Sequence, residues 1–84
     1  MKRYQSHKQV NAGKIVKIIY PQDLPEKADY QAVITLQTGD ELKLSEAWLK
    51  KHEPEIGGYF VEYDDGYQSY SPADAFENGY TELQ

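Results

Sequence analysis

The run Tyr59-Phe60-Val61-Glu62-Tyr63-Asp64-Asp65-Gly66-Tyr67-Gln68-Ser69-Tyr70-Ser71-Pro72-Ala73-Asp74-Ala75-Phe76-Glu77-Asn78-Gly79-Tyr80 holds a strand, a turn, a return strand and a helix in 22 residues. Tyr59 to Tyr63 is rich in rings and β-branching, which suits a pleated, half-buried surface. Asp64-Asp65-Gly66 is a tight-turn sequence, since glycine and aspartate tolerate the backbone that hairpin turns need. The expected loop is the two-residue Asp65-Gly66, with Asp64 opposite Tyr67 and Glu62 opposite Ser69. Ser71 reads as a helix N-cap, Pro72 as the first helical residue and Asp74 as a charge matched to the positive end of the helix dipole. Ala75 and Phe76 supply the buried stripe, and Asn78-Gly79 is a stop with Gly79 as the left-handed residue. Tyr80 to Leu83 leads into a last short strand.

Upstream the same plan occurs once more. Ala32-Val33-Ile34-Thr35-Leu36 is a strand by β-branching, Thr38-Gly39-Asp40 a turn, and Glu41-Leu42-Lys43-Leu44 an alternating return strand. Ser45 caps a short helix in which Glu46 favours the N-terminus, Leu44 and Leu49 have staple spacing, and Lys50, Lys51 and His52 favour the C-terminus before Pro54 ends it. The turn-to-cap spacings differ, six residues from Gly39 to Ser45 and five from Gly66 to Ser71. A duplication and the ordinary makeup of a small α+β domain both account for the similarity. Val10 to Ile19 mixes apolar residues on both faces, as a strand partly covered on each side does, and Pro21 ends it. Pro21 to Asp29 reads as a loop, and residues 1–8 as a flexible basic arm. The expected fold is a single α+β domain over residues 1–84: a small curled, mostly antiparallel sheet or half-open barrel of five or six short strands with two short helices.

Composition narrows the function. Ile, Leu, Val and Phe make up 17 of 84 residues, near the limit for a folded chain, and eight Tyr and one Trp restore the apolar area. A domain this small without staples is either marginal or gains stability by oligomerising, so a homo-oligomer is one of two expectations. With no Cys there is no disulfide framework, thiolate nucleophile or Cys-ligated zinc. No apolar run is long enough for a membrane span, and no apolar segment after the basic start suggests a secretory signal. The net charge is −5 but unevenly spread. Residues 1–20 carry Lys2, Arg3, Lys8, Lys14 and Lys17 and no acid, while all 14 acids lie beyond them. Such an arm can pair with the acidic body, bind phosphate or simply stay solvated. Duplex DNA is disfavoured, because the acidic body repels the backbone and one Arg is too few for base readout.

Catalytic machinery is not evident. His7 lies in the arm and His52 at a helix C-terminus, where a positive dipole partner is the plain explanation, and neither has a metal-ligand spacing. No metal and no cofactor is expected. Glu62 and Asp64, two apart on one strand, read as a solvated acidic face rather than an acid–base pair. Gly57-Gly58 lacks the following helix of a phosphate loop. The stronger feature is the ring cluster: Tyr59, Phe60, Tyr63, Tyr67, Tyr70, Phe76 and Tyr80 are seven of the eleven aromatics. Both faces of the hairpin carry rings. One face is expected to join Trp48 and Phe76 in the core, and the other to leave tyrosines for a protein interface or a planar ligand.

From Gly57 to Tyr80 the sequence resembles the C-terminal segment of a group of small tailed-phage proteins, roughly G-G-Y-x-V-x-Y-x-D-G-Y-x-S-x-S-P-x-x-x-F-E-x-G-Y. Trp48-Leu49-Lys50-Lys51-His52-Glu53-Pro54 fits the same group, and Ala12-Gly13-Lys14-Ile15 does so less closely. The resemblance covers about the last 40 residues well. It brings no catalytic residue with it. It implies a phage or prophage accessory protein in the cytoplasm of the infected bacterial host, and by analogy with other short phage proteins one that disables host machinery. The expectation is a non-enzymatic counter-defence protein that binds and inhibits a bacterial host or defence protein through Glu62, Asp64, Asp65, Tyr59, Tyr63 and Tyr67. One alternative is an oligomeric sponge for a cyclic nucleotide, with Lys2, Arg3, Lys8 and Lys14 meeting phosphate or a second subunit. A further alternative is a virion structural or assembly factor.

Overall fold

The computed structural model describes residues 1–20 and 32–83, so the loop expected at Pro21 to Asp29 lies outside the described residues. Strands β1 (Lys2–Gln5), β2 (Gln9–Ile19), β3 (Ala32–Leu36) and β4 (Glu41–Leu44) precede helix α1 (Glu46–His52). Strands β5 (Tyr59–Tyr63) and β6 (Gln68–Ser71), helix α2 (Ala73–Gly79) and strand β7 (Thr81–Glu82) follow. All pairings among the described residues are antiparallel, and short hairpins link β1 to β2, β3 to β4 and β5 to β6. The sheet runs β4-β3-β2-β1-β7, with β5 and β6 on the other edge of β2. Among the described residues it is a small antiparallel sheet of seven strands, one more than the expected five or six, with two helices: an α+β fold that does not close into a barrel.

The organising element is β2. Its first half pairs with both β1 and β5, and its second half with β3, after a register irregularity between Ile15 and Lys17. Two cores result, one on each face of β5. Tyr59 and Val61 join Val10, Ala12 and Phe76 of α2 in the first. Phe60, pointing the other way, joins Ile15, Ile34, Leu36 and Leu44, with Trp48 of α1 packed against them. Each helix therefore covers its own face of the hairpin, and Trp48 and Phe76 are not in one core as expected. The period-two alternation of a strand explains this, because a central strand with rings at successive positions must bury both sides.

Several local expectations change. Lys2 to Gln5 is a seventh strand, not a loose arm. Tyr4 anchors it by meeting Phe76 and Tyr59 edge-on at 4.9 and 6.2 Å, and Leu83 N–H closes onto Arg3 C=O at 2.8 Å. The second hairpin is one residue off the expected register. Glu62 opposes Gln68, and Val61 opposes Ser69. The loop has three residues, Asp64-Asp65-Gly66, with Gly66 at φ 90°. Tyr63 N–H donates to Tyr67 C=O, and Gly66 N–H to Tyr63 C=O, both at 2.9 Å. A longer loop ending in a left-handed glycine keeps Tyr63 and Tyr67 opposite one another.

Ser45 caps α1 as expected, accepting from Trp48 N–H at 3.2 Å, and Glu53 ends the helix in the left-handed conformation. Helix α2 differs. Its N-cap is Pro72 with no side-chain cap, Ser71 belongs to β6, and Gly79 is the last helical residue, without a positive φ. Extended Tyr80 carries the chain out of the helix.

Candidate groove at the hairpin tip

The hairpin gathers most of the residues expected to bind a partner. Tyr63, Asp64, Asp65 and Tyr67 line an open groove of about 500 Å³, together with Lys8 and Gln9 from the β1–β2 side. Val10 pairs directly with Tyr63, so Gln9 and Lys8 continue past the end of β5 toward the loop. Asp65 accepts Tyr67 N–H at 3.0 Å and stiffens the turn. The Tyr63 and Tyr67 rings lie 5.9 Å apart, tilted by 31°, which is the spacing of a cross-strand pair. Each ring also carries a lysine of this chain. Lys8 Nζ stands 5.0 Å over the Tyr63 ring centroid, and Lys51 Nζ 5.2 Å over that of Tyr67. Lys51 also donates to Tyr67 Oη at 3.0 Å.

Two of the expected contact residues are elsewhere. Tyr59 is buried, stacked on Phe76 at 4.3 Å. Its O–H donates to Glu77 at 2.8 Å. Glu62 opposes Gln68 in the sheet and approaches its amide at 3.5 Å, outside the groove lining.

Three of the five basic residues near the start of the chain meet the chain's own acids. Arg3 grips Asp64 at 2.9 Å and reaches Asn11 at 3.2 Å. The guanidinium holds the Asp64 carboxyl below its usual range. Lys2 meets Glu82 and Lys14 meets Glu77, each at 3.6 Å. Both lysines border a smaller hollow of about 240 Å³ with Tyr4, Gln37 and Thr38. Lys8 makes no ion pair among the described residues. The N-terminal ammonium pairs with Asp40, which pulls that carboxyl down.

Gln9 and Lys51 are not among the residues expected at the site, and no local pattern points to Lys51, which is 16 residues from Tyr67. Its placement follows from helix geometry. Trp48 Nε1–H donates to Gln68 C=O at 3.2 Å and fixes α1 against β6. Lys51, three residues on, projects from the same side of the helix toward the next part of the hairpin. His52 is expected as a charged helix-end residue. Its ring instead lies 4.7 Å from Trp48, and burial, then Lys51, lowers its pKa and favours the neutral form.

Among the described residues, no group of three or more His, Cys, Asp or Glu is placed to hold a metal ion. No described helix is long and apolar enough to cross a membrane. Comparison with known proteins finds no matching family model, no similar curated protein and no similar solved structure.

Tyr59 provides a pH test of the packing around α2. Burial first, then its hydrogen bond to Glu77, pushes its phenol from 10.0 to about 12. The folded state therefore favours the neutral phenol. The stability linked to Tyr59 is complete below the unfolded pKa and is lost as pH rises from 10 toward about 12. Alkaline denaturation followed by circular dichroism should shift less with pH in Tyr59→Phe than in the parent across that window. Identical pH profiles for the two proteins would contradict the burial of this hydroxyl.

Proposed function

We propose that this chain is a non-enzymatic binding protein. Its hairpin tip docks on a basic surface of a bacterial host or defence protein and blocks it, in the cytoplasm of a phage-infected cell. The observation that carries the reading is the groove itself: two tyrosines and two aspartates, Asp65 free of any ion pair among the described residues, converge beside Lys8 and Gln9 on one exposed end of a hairpin held in the sheet. Aromatic rings beside carboxylates suit a positively charged protein surface, and acidic net charge steers such an encounter. The phage setting comes from the resemblance of residues 57–80 to the tailed-phage group. Sequestration of a cyclic nucleotide has less support, because Lys2, Arg3 and Lys14 already lie on carboxylates of the same chain.

The test is capture from infected cells at low salt, with phage plating on strains carrying different defence systems as the biological readout. The parent protein should retain a basic host or defence protein and raise plating on one such strain. Asp65→Lys combined with Tyr67→Ala should lose both effects while keeping its fold, since both residues are exposed. If nothing is retained and plating never changes, the inhibitor reading fails. A rise in melting temperature with a cyclic nucleotide, which only a ligand of the folded state produces, would put the sponge in its place.

A further inference from the structure

The groove holds two ring faces, each covered by an ammonium from elsewhere in the chain. Lys8 reaches over Tyr63 from the β1–β2 turn, and Lys51 over Tyr67 from the end of α1. Ring faces attract cations through their quadrupole, and the attraction grows as water is excluded. The chain is thus already using this pair of tyrosines to bind cations. Lys8 is held weakly: it is exposed, and among the described residues it makes no ion pair. Asp65, also in the groove, accepts a backbone N–H and makes no ion pair among the described residues.

We infer that the Tyr63–Tyr67 pair is a receptor for an arginine side chain of the partner protein, and that Lys8 is a resident placeholder which the arginine displaces. This rests on the reading of the tip as a docking surface and names the chemistry it recognises. Arginine fits better than lysine for a geometric reason. The two rings are 5.9 Å apart and tilted by 31°, so a planar guanidinium that displaces Lys8 can lie along Tyr63 and the part of Tyr67 that Lys51 leaves open, while an ammonium sits over one ring. Its N–H groups then reach Asp65, whose position at the groove wall supplies the carboxylate. Asp64 is less available, because Arg3 already engages both of its oxygens at 2.9 and 3.2 Å.

At Lys8 the inference predicts the opposite sign from a phosphate site, while the tyrosine variants and the arginine-against-lysine comparison separate ring recognition from charge alone. Removing a cation from a phosphate site weakens binding, whereas removing a competing cation from a guanidinium site strengthens it. The experiment is calorimetric titration of the whole protein with an acetylated hexapeptide of alternating arginine and glycine, and with its lysine and glutamate counterparts. The arginine peptide should bind more tightly than the lysine peptide, and the glutamate peptide should not bind. Lys8→Gln should tighten the arginine peptide, and Tyr67→Leu should weaken it, each by about two- to fivefold. Tyr67 is exposed, so its replacement spares the core, and Tyr63→Leu serves as a second variant once its fold is verified.

Weaker binding in Lys8→Gln, or preference for the glutamate peptide, would overturn the inference. So would an arginine peptide that binds the parent and responds to Asp65→Asn but not to either tyrosine; that result would leave an acidic docking surface intact. Absence of any arginine-peptide binding would also overturn it, while capture from infected cells independently decides whether the tip docks on a protein at all.

Discussion

Phe76→Ala should destabilise the domain by about 3–5 kcal/mol, a large share of the roughly 4–13 kcal/mol that a chain of this size has in total. Phe76 is 1% exposed and is the single buried residue of α2. Three rings meet it: Tyr59 stacked at 4.3 Å, Tyr80 stacked at 4.5 Å and Tyr4 edge-on at 4.9 Å. A seven-residue helix is too short to persist without tertiary contacts. Truncating its one buried side chain therefore removes more than the contacts of that ring. Helix α2 loses its reason to dock, Tyr59 loses the cover over its face, and Tyr4 loses the contact that keeps β1 in the sheet. Urea denaturation should show a lower midpoint, and near-ultraviolet circular dichroism a weaker tyrosine signal even before the transition. Phe76→Leu should lose far less, because it keeps the volume while giving up ring stacking. A midpoint for Phe76→Ala close to that of the parent would mean that α2 does not close the first core.

That core illustrates what the sequence revealed and what it hid. The order of hairpin and helix was legible from Asp64-Asp65-Gly66 and from Phe76, because turn chemistry and a single large apolar residue act over short distances. The first unit was legible for the same reason, down to the Ser45 cap. Strand β1 was not. Lys2-Arg3-Tyr4-Gln5 has one ring among polar residues, and although its backbone pairs with neighbouring β2, its side chains are held by remote partners: Glu82, Asp64 and Phe76 lie more than 60 residues away. Hairpin register was missed by one residue because a Gly in a left-handed position serves both two- and three-residue loops. That single shift moved Tyr67 from opposite Asp64 to opposite Tyr63. The paired rings of the groove exist because of it, and no local pattern distinguishes the two registers. The allocation of faces was also hidden. Alternation placed Phe60 and Tyr59 on opposite sides, but not which helix would cover which side.

The second large effect should come from adding one methyl group at Gly58. Gly58 is buried just before β5, and its backbone φ is not in the left-handed region, so the argument is one of space. A Cβ there would come within 2.3 Å of Tyr70 Oη and within 2.5 and 2.6 Å of the ring carbons. Register explains the closeness. Tyr70 opposes Phe60 across the β5–β6 pair, and Gly58 precedes Phe60 by two residues, so its bare face is where the Tyr70 ring lies down. The backbone is poorly placed to retreat, because Gly58 C=O accepts Ile15 N–H at 2.8 Å and Gly57 N–H donates to Ile15 C=O at 2.8 Å. The ring must leave instead, and with it goes part of the cover over the second core. Gly58→Ala should cost about 1–3 kcal/mol, as overpacking does. The decisive measurement is a double-mutant cycle by urea denaturation. Once Tyr70 is alanine, the three atoms nearest the methyl are gone, and Gly58→Ala should then cost less. The two substitutions should couple by about 1 kcal/mol or more. Additive losses would show that the Tyr70 ring does not rest on Gly58, and that the glycine is there for some other reason than to receive it.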